Sequence, residues 1–217
     1  MIQPKVLDRF AEIFGPYGFR REAFVPSYGM AETALAISFA PLNTGVELDR
    51  VDRQRLAECG EAAPAPADAS NARDFVLCGK PLSGHKIEVR DEAGRVLPER
   101  RLGRVFVSGP SIMVGYFQEP EATAAVLQPD GWLDTGDLGY MTHGQIVITG
   151  RSKDLIIING RNIWPQDIEH IVERQPELRH MDAAAFFVHD AQGEEVPVVV
   201  VQSNVIDAEQ CLSLIHI

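Results

Sequence analysis

The sequence predicts a mixed α/β fold with a β-rich, barrel-like subdomain, and three patterns support this prediction. Apolar residues from Val6 to Phe14 recur at helical spacing and stop at Gly15-Pro16, which is typical of an amphipathic helix. Between residues 75 and 150, short runs of Val, Ile and Phe alternate with Gly and Pro turns, which favours antiparallel strands. Farther along, Pro165 stands in the first turn of a periodic segment, which predicts another helix.

The stretch EAFVPSYGMAETALAI (22–37) combines apolar and turn-forming residues. It predicts a short buried strand, a loop at Ser27-Tyr28-Gly29 and a helix that opens near Glu32.

Residues 41–72 differ in composition from the rest of the chain. They are polar at first and then rich in Ala and Pro, which predicts a small charged element followed by a flexible loop. Leu48, Val51 and Leu56 are its larger apolar side chains, and we expect them to dock on an apolar patch elsewhere in the protein.

The remaining elements are short and are separated by clear turn signals. We expect, in order, a hairpin tip at Asp91–Gly94, a short helix over 119–127, a strand over 144–150, a helix over 163–178, and two buried strands over 181–190 and 195–203 that flank a turn at Gly193.

The composition excludes several classes of protein. A hydrophobic content of 45% and a charged content of 24% over 217 residues are typical of a soluble globular protein. The formal net charge of -11 argues against nucleic-acid binding, which needs a basic surface. The three cysteines form no CxxC pair, which fits a reducing cytoplasm. No apolar run is long enough for a membrane span or a signal peptide, and no P-loop, HExxH or GxSxG motif occurs.

Three short motifs contain side chains that can bind a ligand, and each has a structural alternative. In SYGMAE, the glycine lets backbone approach a planar ring and Glu32 can hold a hard cation such as Mg²⁺, or the motif is a tight turn with a half-buried Tyr28. In DTGD, Asp137 can accept two hydrogen bonds from a ribose diol or stand in an Asx turn. In GRSKD, Arg151 can donate to ribose or phosphate oxygens or form a surface salt bridge.

Four longer motifs, taken together, indicate a family. SYGMAET, GRVFVSGPSIMVGYF, GWLDTGDLGY and GRSKDLIIINGRNIWPQDIE resemble the core motifs of the adenylate-forming enzymes, the superfamily of acyl-CoA synthetases and nonribosomal-peptide adenylation domains. The resemblance extends from about Phe24 to about Val201, and the last two motifs are long and specific.

The resemblance implies that the first motif binds ATP and Mg²⁺. Tyr28 would stack on or flank the adenine. The wall around the adenine would be formed by Ser27, Gly29 and Met30. Glu32 would be the catalytic carboxylate that coordinates Mg²⁺ at the triphosphate.

The later motifs would bind the ribose. By the same resemblance, Asp137 would accept hydrogen bonds from the ribose hydroxyls, Arg151 would reinforce them, and Ile148 would pack against the nucleoside. Lys153 matches the hinge about which the small C-terminal domain of the family rotates.

The implied domain arrangement has two parts. Residues 1–150 would be the C-terminal part of the large adenylation domain, with an α/β portion at 1–74 and the β-rich subdomain at 75–150. Residues 151–217 would form the hinge and an incomplete α+β lid domain.

One branch of the superfamily fits best. Many members carry a threonine at the position of Ala31, whose methyl group cannot donate the hydrogen bond to the α-phosphate that a threonine hydroxyl makes. YGxAE together with GRNIWPQDIE is instead similar to the fatty acyl-AMP ligases. The segment at about 41–72 stands where that branch has its characteristic insertion, although an ordinary variable loop is the alternative.

The implied activity is the ATP-dependent conversion of a fatty acid to acyl-AMP, followed by transfer to the phosphopantetheine thiol of an acyl carrier protein. An acyl-CoA synthetase and a non-catalytic nucleotide-binding module are the two alternatives. The family's phosphate loop belongs before Met1, its catalytic lysine belongs after Ile217, and CLSLIHI does not continue the pattern. We therefore expect these residues to be a fragment that is inactive alone.

Overall fold

The structure, a computed structural model, describes residues 2–158, 161–172, 183–189 and 195–202. The chain divides into two compact units, Met1–Ser152 and Lys153–Ile217. The elements of the first unit are α1 (Pro4–Phe14), β1 (Ser27–Tyr28), β2 (Ser38–Phe39), β3 (Leu48–Asp52), α2 (Arg53–Cys59), β4 (Ala72–Val76), β5 (Lys80–Pro81), β6 (Lys86–Arg90), β7 (Gly103–Ser108), α3 (Pro120–Val126), β8 (Leu133–Thr142) and β9 (Gln145–Arg151). Those of the second unit are β10 (Ile156–Ile158), β11 (Arg161–Ile163), α4 (Pro165–Val172), β12 (Ala183–His189) and β13 (Glu195–Val201).

The largest sheet of the first unit has the strand order β6-β7-β8-β9, and every neighbouring pair is antiparallel, as the sequence predicted. Its core is formed by buried apolar side chains of alternate strand positions, among them Val89, Val105 and Ile146. The predicted barrel is wrong, because among the described residues these strands form an open sheet. The edge strands β6 and β9 do not pair with each other. Instead, β6 forms an isolated bridge to Val96, and β9 forms one to Leu77.

The segment around the first motif differs from its prediction, because β1 (Ser27–Tyr28) stands where the sequence predicted a loop. β1 pairs with β2, and β2 pairs with β5. The helix expected near Glu32 is only a single 3₁₀ turn over Ala31–Thr33, which ends at Ala34 in the left-handed conformation with φ 63°. The chain has to reverse here, and a Cβ on Gly29 would lie 2.0 Å from the carbonyl oxygen of Leu35. A continuous helix does not allow such a tight reversal.

Residues 41–72 are built into the first unit. β3 pairs with β4, and α2 begins where Asp52 Oδ1 accepts a hydrogen bond from Arg55 N at 2.9 Å. The Ala- and Pro-rich part lies along β3, where Asp52 N donates to Ala63 O at 2.8 Å. Val51 and Leu56 are 0% exposed, so they are already part of this unit's core and cannot dock elsewhere as the sequence suggested.

The second unit contains two antiparallel strand pairs, β10 with β11 and β12 with β13, and the helix α4. Glu169 of α4 accepts a hydrogen bond from Ala185 N of β12 at 3.0 Å, which holds the helix against that strand. Two strands occur near the C-terminus where the sequence predicted them, but the predicted burial is wrong. Of their residues whose exposure is described, only Ala185 is buried, and Phe186, Val188 and Val200 are exposed. The rest of the predicted helix (173–178), the turn at Gly193 and the CLSLIHI ending lie outside the described residues. In the part of the chain that the structure covers, no helix is long and apolar enough to cross a bilayer.

Candidate functional site

A cavity of about 480 Å³ in the first unit brings three of the sequence motifs together. Its wall is formed by residues that follow β1, by the start of β8, by the end of β9 and by α3 with the loop before it. The lining residues are Gly29, Met30, Ala31, Glu32, Arg104, Tyr116, Ala125, Val126, Leu133, Asp134, Thr135, Gly136 and Arg151.

The Thr-Gly-Asp motif is a bulge inside β8. Asp134 pairs with Phe106 and Leu138 pairs with Arg104, so three residues of β8 oppose Val105 alone. Gly136 has φ 70°, which glycine adopts without strain. Bulges of this kind often occur next to active sites, where they change the direction of a side chain.

Hydrogen bonds fix the shape of this bulge. Asp134 Oδ1 accepts from Gly136 N at 3.0 Å, and Thr135 Oγ1 accepts from Asp137 N at 3.1 Å. The Thr135 hydroxyl also donates to Val105 O at 2.8 Å. The second carboxylate oxygen of Asp134 lies 2.6 Å from Arg104 Nη2, at the cavity wall.

Asp137 stands at the centre of the site, directly behind the cavity wall. Its Oδ2 accepts a hydrogen bond of 2.8 Å from the buried Tyr28 hydroxyl. Its Oδ1 lies 3.3 Å from Arg151 Nε, and the two residues are paired partners on β8 and β9. The Asp137 side chain is only 11% exposed, whereas that of Arg151 is 54% exposed. The pair therefore combines a buried, oriented anion with a cation that can reach a ligand.

Burial and charge shift the pKa values of this group. Burial raises the pKa of Asp137, while the Tyr28 hydrogen bond and the Arg151 charge act in the opposite direction. Burial, together with the nearby Asp137 carboxylate, raises the pKa of Tyr28 far above its ordinary value. Tyr28 is therefore a permanent hydrogen-bond donor, and its bond together with the Arg151 contact uses two of the roughly four lone-pair positions of the Asp137 carboxylate.

Glu32 faces the same cavity from its 3₁₀ turn. Its Oε1 accepts a hydrogen bond from the Tyr116 hydroxyl at 2.8 Å, and its backbone oxygen accepts from Met113 N at 2.8 Å. Within the described residues, Oε2 has no hydrogen-bond partner, so one carboxylate oxygen remains for a cation.

The fit of this site to Mg²⁺ follows from its donor set. No group of three or more His, Cys, Asp or Glu side chains that could enclose a metal occurs among the described residues. Mg²⁺ bound with nucleotide phosphates usually takes only one or two protein carboxylates and keeps several waters. A single carboxylate at Glu32, on a cavity that also presents Arg151, fits that mode of binding.

The structure brings most of the predicted site residues together. Gly29, Met30, Ala31, Glu32 and Arg151 line the cavity, and Tyr28 and Asp137 lie behind its wall.

Three predicted residues lie elsewhere. Ser27 is exposed on β1, and Ile148 packs against the hydrophobic core. Lys153 is exposed and lines a separate cavity of about 300 Å³ inside the second unit, together with Glu169.

Sequence reasoning missed four residues of the site. Thr135 and Asp134 are part of the DTGD motif, but their structural role depends on a bulge that the sequence does not reveal. Arg104 and Tyr116 lie in the motif GRVFVSGPSIMVGYF, in which the resemblance implied no role for either residue. Membership of that motif was the only available signal.

Comparison with known proteins places this geometry in a family. The family model described as AMP-binding enzyme matches residues 1–117. A putative acyl-CoA synthetase of Caulobacter vibrioides is 50% identical over 99% of this chain and 37% of that protein. The medium-chain-fatty-acid–[acyl-carrier-protein] ligase JamA of Moorena producens is 35% identical over 92% of this chain and 35% of that protein.

A solved structure agrees with this result. A chain from a structural study of fatty acyl-adenylate ligases of E. coli and L. pneumophila superposes with a TM-score of 0.88 at 45% identity, covering 99% of this chain and 38% of that one. The fold is thus that of an adenylation domain, mixed α/β with several sheets. The chain belongs to the AMP-binding enzyme family. It spans little more than a third of the length of the relatives it matches.

Proposed function

We propose that the parent protein, meaning the full reading frame that contains these 217 residues, is a cytoplasmic ligase that activates a fatty acid with ATP. The observation that carries this proposal is the Tyr28–Asp137–Arg151 group, which supports one wall of a cavity whose other wall presents Glu32. The 45% identity to a chain from a study of fatty acyl-adenylate ligases supports the same reaction.

The proposed reaction is an in-line displacement at phosphorus. A carboxylate oxygen of the fatty acid attacks the α-phosphorus of ATP, the bond from that phosphorus to the bridging oxygen breaks, and acyl-AMP and pyrophosphate result. The protein's contribution is mainly to hold the reactants and to stabilise charge.

Each side chain of the wall has a defined part in this proposal. Asp137 accepts hydrogen bonds from the ribose hydroxyls with its two remaining lone-pair positions, and Tyr28 holds that carboxylate in place. Arg151 donates to a ribose or phosphate oxygen. The adenine would lie next to Tyr28 and the cavity residues Gly29, Met30 and Ala31. On the resemblance alone, Ser27 and Ile148 would also flank the nucleoside, although neither lines the cavity.

Glu32 is the residue that would hold Mg²⁺. When bound, the ion would neutralise part of the charge of the pyrophosphate group. Glu32 supplies an oriented carboxylate oxygen at the cavity, with its other oxygen held by Tyr116.

The second compact unit is proposed to be part of a mobile lid. Unit one ends at Ser152 and unit two begins at Lys153, the residue whose position resembles the hinge of the family. A change of backbone conformation at Lys153 would let the residues after it rotate between the two half-reactions, with residues 151–217 as hinge and incomplete lid. On this proposal, residues 1–150 belong to the large domain, with the segment at about 41–72 as an insertion.

The acceptor of the acyl group is proposed to be the phosphopantetheine thiol of an acyl carrier protein. The thiolate sulfur attacks the acyl carbonyl carbon, the bond to the phosphate oxygen breaks, and AMP leaves. The JamA relative, named as a ligase to acyl carrier protein, supports this acceptor. An acyl-CoA synthetase is the second candidate, because the Caulobacter relative at 50% identity is named as one.

Product analysis tests these alternatives. The parent protein is incubated with radiolabelled fatty acid and ATP, and either CoA or a holo carrier protein is then added. We expect acyl-AMP to accumulate in the presence of CoA and the label to move only to the carrier.

Two other outcomes would assign a different function. Rapid formation of acyl-CoA would support the synthetase. Binding of ATP without fatty-acid-dependent pyrophosphate release would support the non-catalytic nucleotide-binding module instead.

A further inference from the structure

The loop before α3 contacts Glu32 at two points, although it lies far away in the sequence. Tyr116 and Glu32 are separated by 84 residues, and the Tyr116 hydroxyl donates to Glu32 Oε1 at 2.8 Å. Met113 N donates to the backbone oxygen of Glu32 at 2.8 Å. The loop therefore holds both the main chain and the carboxylate of Glu32.

The carboxylate of Glu32 has little else to fix its orientation. It projects from a single 3₁₀ turn that ends at Ala34, and that turn is stabilised by the buried Thr33, whose hydroxyl donates to Met30 O at 2.8 Å. Glutamate is among the side chains with the most rotamer freedom. A hydrogen bond to one carboxylate oxygen removes much of this freedom. Because the carboxylate is planar, it also fixes the direction of the other oxygen.

Tyr116 is itself anchored by α3. Its backbone N–H donates to Thr123 Oγ1 at 2.9 Å, and the Thr123 hydroxyl donates to Glu119 O at 2.8 Å. The preceding Gly115 has φ 150°, and a Cβ there would lie 3.0 Å from Thr123 Cγ2. The chain thus approaches α3 closely enough to fix Tyr116 at its backbone, while its ring lines the cavity.

We infer that Tyr116 is a positioning residue that holds the Glu32 carboxylate in the orientation needed to bind the cation of the nucleotide complex. This inference rests on the proposed function, because it takes Glu32 as the carboxylate that binds Mg²⁺.

The test measures metal binding separately from turnover. In the parent protein, Mn²⁺ is titrated in the presence of a non-hydrolysable ATP analogue and its bound fraction is followed by electron paramagnetic resonance. Tyr116→Phe keeps the ring and removes only the hydroxyl, so we expect the apparent Kd for Mn²⁺ to rise about tenfold, as for the loss of one hydrogen bond to a charged group. The Mg²⁺ concentration that gives half-maximal pyrophosphate release should rise by a similar factor.

A matched control and a double mutant separate positioning from general damage. Tyr17 is 85% exposed, and Tyr17→Phe should leave the Mn²⁺ titration unchanged. In a Glu32→Gln background, adding Tyr116→Phe should have little further effect, because Tyr116 acts through that carboxylate. Equal losses from Tyr116→Phe in both backgrounds would overturn the inference.

The failures of this inference and of the proposed function can be told apart. If wild-type protein releases pyrophosphate with fatty acid but Tyr116→Phe matches it in the Mn²⁺ titration, the positioning role is wrong and the function stands. If wild type binds no Mn²⁺ with the nucleotide analogue, the assignment of Glu32 is wrong and the inference fails with it.

Discussion

The bulge of β8 and the segment 41–72 both contain aspartate–arginine pairs, but they use them differently. In the bulge, Asp137 pairs with Arg151 and Asp134 pairs with Arg104, and both guanidinium groups line a cavity. The two arginine side chains are 54% and 47% exposed, while their aspartates are 11% and 14% exposed. Here the anion is fixed by the protein and the cation faces outward.

In the segment 41–72, the pair of Asp49 with Arg100 is enclosed. Asp49 accepts hydrogen bonds from Arg100 at 3.0 Å and 3.2 Å and from the Tyr140 hydroxyl at 2.7 Å. Arg100 also donates to Ala62 O at 2.8 Å, and its side chain is only 26% exposed. These groups are satisfied by each other, so they hold β3 in place and have little capacity left for a ligand. The direction of the cation, rather than the presence of an ion pair, distinguishes the two regions.

The largest expected effect concerns the core of the segment 41–72. Leu56 is 0% exposed, so Leu56→Ala should lower the free energy of unfolding by about 2–5 kcal/mol. Leu48 is 46% exposed, and Leu48→Ala should change the free energy of unfolding by no more than about 0.5 kcal/mol. Chemical denaturation of the parent protein measures both. If Leu56→Ala changed the free energy of unfolding as little as Leu48→Ala, the segment would not be packed into this unit.

The next effect belongs to the bulge. Asp137→Ala removes a charged acceptor, and we expect a loss of about 2–4 kcal/mol in kcat/KM for ATP, measured by fatty-acid-dependent pyrophosphate release. It should also lower the free energy of unfolding by about 1–3 kcal/mol, because the buried Tyr28 hydroxyl loses its acceptor.

Asp137→Asn is the matched control, since its amide oxygen can still accept from Tyr28. Asp137→Asn should recover most of the free energy of unfolding lost in Asp137→Ala, but not the lost kcat/KM for ATP. Normal kcat/KM in the folded fraction of Asp137→Ala would show that the bulge is purely structural.

Removal of single hydroxyl groups compares the two regions directly. Tyr140→Phe deletes the donor to Asp49 and should cost about 1 kcal/mol of unfolding free energy without changing kcat/KM for ATP. Tyr28→Phe deletes the donor to Asp137 and should lower both quantities. The comparison would fail if Tyr140→Phe impaired ATP turnover as strongly as Tyr28→Phe.

The smallest effect is a pH dependence at Asp137. Because burial raises its pKa, the folded protein binds this proton more tightly than the unfolded chain does. The contribution of Asp137 to stability should therefore decrease as pH rises from the ordinary aspartate value of about 3.9 through the raised value. The affinity for ATP should increase over the same pH range, because the ionised Asp137 carboxylate accepts hydrogen bonds from the ribose. Unfolding curves of wild type and Asp137→Asn at a series of pH values should differ in slope in this window, and parallel curves would contradict the shift.

Local patterns in the sequence were sufficient for much of the fold. The periodicity before Gly15, Pro165 at the start of α4 and the alternation within residues 75–150 predicted elements that the structure contains. The helix expected near Glu32 failed because a close backbone approach at Gly29 overrides the local preference. The barrel failed because strand patterns do not reveal how the edges of a sheet are covered.

The arrangement of the candidate site could be predicted less well, because it depends on contacts between residues far apart in the sequence. The contact between Tyr28 and Asp137 joins residues 109 positions apart, and that between Tyr116 and Glu32 joins residues 84 apart. Such contacts follow from strand register and from the bulge in β8, which composition and spacing do not encode. For the same reason, the sequence did not reveal that Val51 packs into the core of its own unit.

The most direct test of the ribose role of Asp137 compares ATP with 3′-deoxy-ATP in the parent protein. Wild type should prefer ATP in kcat/KM by about 10- to 100-fold, as expected for loss of one hydrogen bond to a charged group. In Asp137→Ala this preference should fall to about one, because the acceptor for the missing hydroxyl is gone. An undiminished preference for ATP in Asp137→Ala would contradict the assignment of Asp137 as the ribose-binding carboxylate.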